Sequence, residues 1–150
     1  MKSNYIYTGC FLPLEKIDEV SHYYGLTHLD QIVQKPHMTV EFRPRTVDES
    51  LFGEEVRITL VGYGNDTKNE GFKVVAHTKN AKLQQIIEKV LVPHITISTS
   101  RSGKPIDTGL LDFSQIKPVT LLARYGAYNR FGQVITTPDA RRKSQPPQGS

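Results

Sequence analysis

From Tyr5 to Leu12 the chain is rich in Tyr, Ile, Phe and Leu, which predicts a strand, and Pro13 ends it. The period then changes. Leu14, Ile17 and Val20, with Tyr24 further on, form one apolar stripe at helical spacing, and Gly25 supplies a stop. Residues 26–36 read as a connection. His37–Phe42 is β-branched and alternating, Glu54–Val61 is a further strand-like run closed by Gly62 and Gly64, and Asn65–Glu70 is a loop by composition.

The pattern then restarts. Phe72–Ala76 predicts a short strand, Asn80 an N-cap, and Leu83, Ile86, Ile87 and Val90 a helical stripe reaching Leu91. Pro93 precedes another strand, His94–Thr99. Beyond the polar loop Ser100–Thr108 lie two more strand candidates, Thr120–Arg124 and Phe131–Thr136, with Tyr125 and Tyr128 beside Gly126 in an expected turn. Strand, helix, strand, strand therefore occurs twice, and an α+β fold built from a duplicated unit is expected. The match between Lys35-Pro36-His37-Met38-Thr39-Val40 and Val92-Pro93-His94-Ile95-Thr96-Ile97 supports duplication, because proline, histidine and threonine are identical. Residues 1–137 form the expected domain. Pro, Gln, Gly and charge dominate residues 138–150, which predicts a disordered tail.

A chain of 150 residues suits one domain with a real core. No apolar run approaches the ~18 residues needed to cross a bilayer, and the N-terminus lacks the apolar core of a secretion signal, so no membrane contact and cytoplasmic residence are expected. Cys10 is the only cysteine, which excludes an intrachain disulfide and a cysteine-rich zinc site. The net charge is +4, but Arg141, Arg142 and Lys143 against Asp139 place a surplus of two in the tail, leaving +2 for residues 1–137. Such a body lacks a broad basic groove for long nucleic acids, while a few Lys or Arg side chains around a small anion remain open.

Strand alternation puts His37, Thr39 and Glu41 on one face and Met38, Val40 and Phe42 on the other. His94, Thr96 and Ser98 likewise face away from Ile95 and Ile97. If the two strands are neighbours, two imidazoles and two hydroxyls converge. One neutral and one protonated histidine can exchange protons at a phosphoryl centre, and the threonine hydroxyls can donate to its oxygens. His37, Thr39, His94 and Thr96 are thus the candidate catalytic residues, with the base and the acid unassigned. No carboxylate or cysteine recurs at ligand spacing, so neither a metal nor another cofactor is expected. Tyr5 and Tyr7 share a strand face and are candidates to stack on a nucleobase, with Tyr128 as a rim platform. Lys35, Arg43 and Arg124 are candidates to neutralise phosphate. His22, His28 and His77 lack the motif and read as surface or packing residues, and Lys73 as an outward polar residue.

On the motifs His37-Met38-Thr39 and His94-Ile95-Thr96, residues 5–136 resemble the 2H phosphoesterase superfamily, which includes LigT-like RNA cyclic phosphodiesterases and phage enzymes that destroy cyclic-nucleotide defence signals. The resemblance implies a bilobal fold with a central cleft and metal-independent hydrolysis of a cyclic phosphodiester. A nucleoside or RNA-terminal 2′,3′-cyclic phosphate is the expected substrate. Hydrolysis of a defence signal and a non-catalytic nucleotide-binding module are the alternatives. The expected partner is a small cyclic nucleotide or an RNA end, with no obligate protein partner.

Overall fold

The computed structural model describes residues 4–138, so the expected disordered tail lies outside the described residues from Asp139 onward. Eight strands run over Tyr5–Phe11 (β1), Gln31–Ile32 (β2), His37–Phe42 (β3), Glu55–Asn65 (β4), Asn69–His77 (β5), His94–Thr99 (β6), Ser114–Asn129 (β7) and Val134–Ile135 (β8). Helices Leu14–Tyr24 (α1) and Ala81–Ile87 (α2) precede β3 and β6, and Pro105–Leu110 forms a 3₁₀ turn after β6.

Local chemistry sets these limits. Gly25 closes α1 in the left-handed region at φ 68°, a conformation that costs a residue without Cβ little. The Asn80 side chain accepts the Leu83 amide at 3.0 Å and starts α2. Both helices bury their apolar stripes, Ile17 and Val20 from α1 and Leu83 and Ile87 from α2, in one cluster with Cys10, Met38, Ile58, Leu60, Phe72 and Ile95.

Six strands close a ring in the order β1, β3, β6, β5, β4, β7, and β7 returns to β1. All pairings are antiparallel. β2 adds to β6 and β8 to β7. The seams differ in extent. Cross-strand pairing runs through most of β1 with β7 and of β4 with β5, whereas β3 meets β6 at a single position, Met38 opposite Ile95.

This single closed six-stranded barrel corrects the duplicated, bilobal α+β fold expected from the repeated motif, and it overturns the resemblance to the 2H phosphoesterases. The strand that closes the ring explains the difference. β7 is 16 residues long and pairs with β4 along its first part and with β1 along its last. Pro118 and Gly126 obscure it in the sequence, since both read as strand breakers. Pro118 falls where the β4–β7 register shifts. Gly126 occupies a strand position rather than the expected turn, and a Cβ there would lie 2.2 Å from the Ile135 carbonyl oxygen of β8.

The segment before β3 is pinned by a buried carboxylate. Glu70, fully buried at a register shift in β5, is bonded to His28 Nδ1 at 2.7 Å, to Ser98 Oγ at 2.7 Å and to the Tyr63 hydroxyl. Three hydrogen-bond partners meet the cost of burying the carboxyl group. Burial first, and then the bond to Glu70, pushes the Tyr63 hydroxyl up to about 12, so it stays a donor. Among the described residues, no helix is long and apolar enough to cross a membrane.

Candidate functional site

His37 follows an interruption in the chain. Gln31 and Ile32 pair with Thr99 and Ser98, and the same chain resumes against β6 with Met38 opposite Ile95, three residues out of step. Gln34, Lys35 and Pro36 interrupt the β6 ladder between the two stretches, with Gln34 and Lys35 exposed and the buried Pro36 accepting the Leu12 amide at 3.0 Å, a device that re-aims the side chains after it. The imidazole that emerges is half-buried. Its Nδ1 lies 2.9 Å from the Lys35 carbonyl oxygen. His94 repeats the contact, with Nδ1 2.7 Å from the Val92 carbonyl oxygen. A carbonyl can only accept, so in both neutral rings Nδ1 carries the proton and Nε2 the lone pair.

Cross-strand partners share a face of a sheet. Extending the Met38–Ile95 pair by one residue each way sets His37 against Thr96 and Thr39 against His94. One row across the sheet then reads Gly9, Thr39, His94, Lys73, Gly62, and the adjacent row Phe11, His37, Thr96, Gly71. The two histidines are diagonal neighbours, about 7–8 Å apart at the backbone. Each Nε2 is free of hydrogen bonds to described residues. Burial lowers the His37 pKa below its ordinary value, the Lys35 carbonyl partly restores it, and His94 lowers it further through its charge.

The two motif threonines have different surroundings. Thr39 is half-buried and makes no side-chain hydrogen bond to a described residue. Thr96 is buried; it donates to the Pro105 carbonyl at 3.0 Å and shares a hydrogen bond with Thr108 Oγ1 at 2.8 Å. Asn69 Nδ2 donates to that same Thr108 oxygen at 3.0 Å and also to the Lys104 carbonyl at 2.5 Å. Together these bonds hold the 3₁₀ turn on the sheet, where it carries Gly109 against the His94 ring. A Cβ on Gly109 would stand 3.1 Å from His94 Cε1.

Aromatic rings hold the other imidazole. Tyr7 stacks on His37 at 4.5 Å between centroids, and Tyr128 stacks on Tyr7 at 5.2 Å. Tyr7 is therefore enclosed on both faces and serves as a wall for His37 instead of an open platform. Burial first, and then Tyr128, raises the Tyr7 hydroxyl above its ordinary range, so it keeps its proton. Lys35 Nζ lies 5.6 Å over the Tyr128 ring and donates to the Gly132 carbonyl at 2.7 Å.

The remaining expected residues lie apart from this group. A register shift between Tyr5 and Tyr7 breaks the alternation of β1, and Tyr5 turns to Phe52 and donates to Glu49 at 2.9 Å. Arg43 sits past the far end of β3, over Phe42. Arg124 is directed to the Gly53 carbonyl at 3.0 Å and to Glu55 at 3.9 Å. A shallow recess of about 190 Å³ between Glu54, Glu55, Arg57, His77, Thr78 and Lys79 takes in none of the expected residues. Among the described residues, no three His, Cys, Asp or Glu side chains form a metal-holding group.

Asn69, Thr108 and Gly109 are not among the residues the sequence singled out for the site, and Lys73 is read there only as an outward polar residue. They belong to β5 and the 3₁₀ turn, far along the chain from His37, and only the β5–β6 register brings them to the site. The expected cyclic phosphodiesterase activity, with hydrolysis of a defence signal as its alternative, depended on a bilobal two-histidine phosphoesterase fold. The closed barrel overturns both, and the enzyme assignment with them. No family model matches the chain, and no curated protein matches it.

Proposed function

We propose that the face carrying His37 and His94 binds a small phosphorylated ligand of the nucleotide class, such as a cyclic nucleotide or the phosphate at an RNA end. One observation carries the reading: both imidazoles are anchored through Nδ1 to the carbonyl two residues back, which leaves two Nε2 atoms on diagonal positions of one face. Protonated, each becomes a charge-assisted donor to a phosphoryl oxygen. The Thr39 hydroxyl, opposite His94, adds a third donor. Thr96 acts through the turn that it holds.

Exposed Leu91, three residues before His94, and exposed Ile106 and Leu110, on the turn that carries Gly109, supply apolar surface for a base. The low body charge suits a small ligand better than a long nucleic acid. The lone buried Cys10 supports a site of action in the cytoplasm, where thiols stay reduced.

Titration with adenosine 2′,3′-cyclic monophosphate, followed through the imidazole Cε1–H signals, tests the reading. This diester keeps one negative charge between about pH 5 and 8, so any pH dependence belongs to the protein. Saturable shifts of His37 and His94 are expected, with tighter binding at lower pH. Adenosine at equal concentration should leave both signals in place. Unmoved histidines, or equal shifts with adenosine, would sink the proposal. Phosphorus spectra of the same samples show separately whether the nucleotide is recovered unchanged.

A further inference from the structure

Lys73 stands directly opposite His94 in the β5–β6 ladder, with Thr39 on the other flank of that histidine. It is exposed, and its strand alternates cleanly: Phe72, Val74 and Ala76 enter the core while Lys73, Val75 and His77 face the other way. Its other neighbour in the row is Gly62, where a Cβ would meet Phe113 Cβ at 3.1 Å and Lys73 Cβ at 3.3 Å, so the row has no side chain between the lysine and Phe113. Gly71, two residues back on the same face, lies opposite Thr96. Among the described residues, Lys73 forms no ion pair.

From this placement we infer that Lys73 is a ligand-binding residue of the site, a fixed positive charge that selects phosphorylated ligands over neutral ones. The inference rests on the binding reading above. Directly opposed residues are about 5 Å apart at Cβ, and a lysine side chain spans that gap, so its ammonium reaches an anion held at His94. The histidines contribute charge only when protonated. With no carboxylate partner, none of the Lys73 charge is spent inside the protein.

The test compares wild type, Lys73→Gln and Lys73→Arg by calorimetric titration with adenosine 2′,3′-cyclic monophosphate at low and high salt. Circular dichroism and melting temperature check that each variant is folded. Lys73→Gln should weaken binding about tenfold, the scale of one hydrogen bond to a charged group, while Lys73→Arg stays near wild type. Salt should weaken wild type more than Lys73→Gln, since a screened charge has been removed. Wild-type affinity in Lys73→Gln, or equal weakening in the Gln and Arg variants, would overturn the role of the lysine charge while binding itself stands. If wild type does not bind the nucleotide, the binding reading fails, and this inference fails with it.

Discussion

Two threonines in matching motifs should respond differently to the same substitution. Thr96→Val keeps the shape of a buried side chain and removes its hydroxyl. The loss takes the donor from the Pro105 carbonyl and the partner from Thr108 Oγ1, which retains only Asn69. One buried and one partly buried hydrogen bond at about 1 kcal/mol each give a destabilisation of about 2 kcal/mol. For a chain of this size that corresponds to a fall in melting temperature of about 4–8 °C. The 3₁₀ turn also loses its hold on the sheet, so Gly109 leaves the His94 ring and nucleotide affinity falls as well. Thr39→Val removes a hydroxyl with no described partner, so stability should stay within about 0.5 kcal/mol of wild type while affinity alone drops. Urea unfolding of both variants, followed by tryptophan-independent circular dichroism, and the titration described above supply the two readouts. Equal destabilisation by the two substitutions, or an unchanged midpoint for Thr96→Val, would refute the division between a positioning and a ligand-facing threonine.

Two further outcomes follow from packing and charge. Gly71→Ala should cost about 3 kcal/mol, because the new Cβ would lie 2.4 Å from Thr108 Cγ2 and 2.5 Å from the Ile95 carbonyl oxygen, a backbone atom that cannot turn aside; a melting temperature equal to wild type contradicts that geometry. His37, held below its ordinary pKa by burial first and also by His94, stays unprotonated in the fold at pH values where the unfolded chain binds a proton. Stability should therefore rise with pH from the lowered value up to about 6.5 and level off above it, and His37→Gln should flatten that slope in urea titrations from pH 5 to 7.5. Parallel slopes in wild type and variant would show that His37 titrates alike in both states.

Some of this was readable in the sequence and some was not, for identifiable reasons. The strands carrying His37 and His94 were legible because β-branched and apolar residues alternate there behind a proline. α1 was legible from Ile17, Val20 and Gly25, and α2 began where Asn80 placed it. Closure of the barrel was hidden in β7, where Pro118 and Gly126 look like breaks and act as a register shift and a close approach. Shared-face arguments hold only while the register is unbroken: Tyr5 and Tyr7 are two apart, yet a shift between them sends one to Phe52 and the other to His37. Lys73 reads as a surface residue on its own strand, and its neighbour across the ladder is absent from any one-dimensional pattern. His28 gives no local sign that its partner is Glu70.

The interruption at Gln34–Pro36 also bears on how this barrel trades robustness for use. Without those three residues, β2 would run straight into β3 and the joined strand could zip along β6, exchanging the single Met38–Ile95 contact for a continuous ladder. The shortened protein would gain ladder along β6 but lose the Leu12–Pro36 hydrogen bond and the Lys35 carbonyl that fixes the His37 proton. Under the proposed binding role, the ladder left unformed at this seam is the counterpart of the His37 geometry, so attempts to toughen the protein should begin at β4, β5 and β7 and leave this opening as it is.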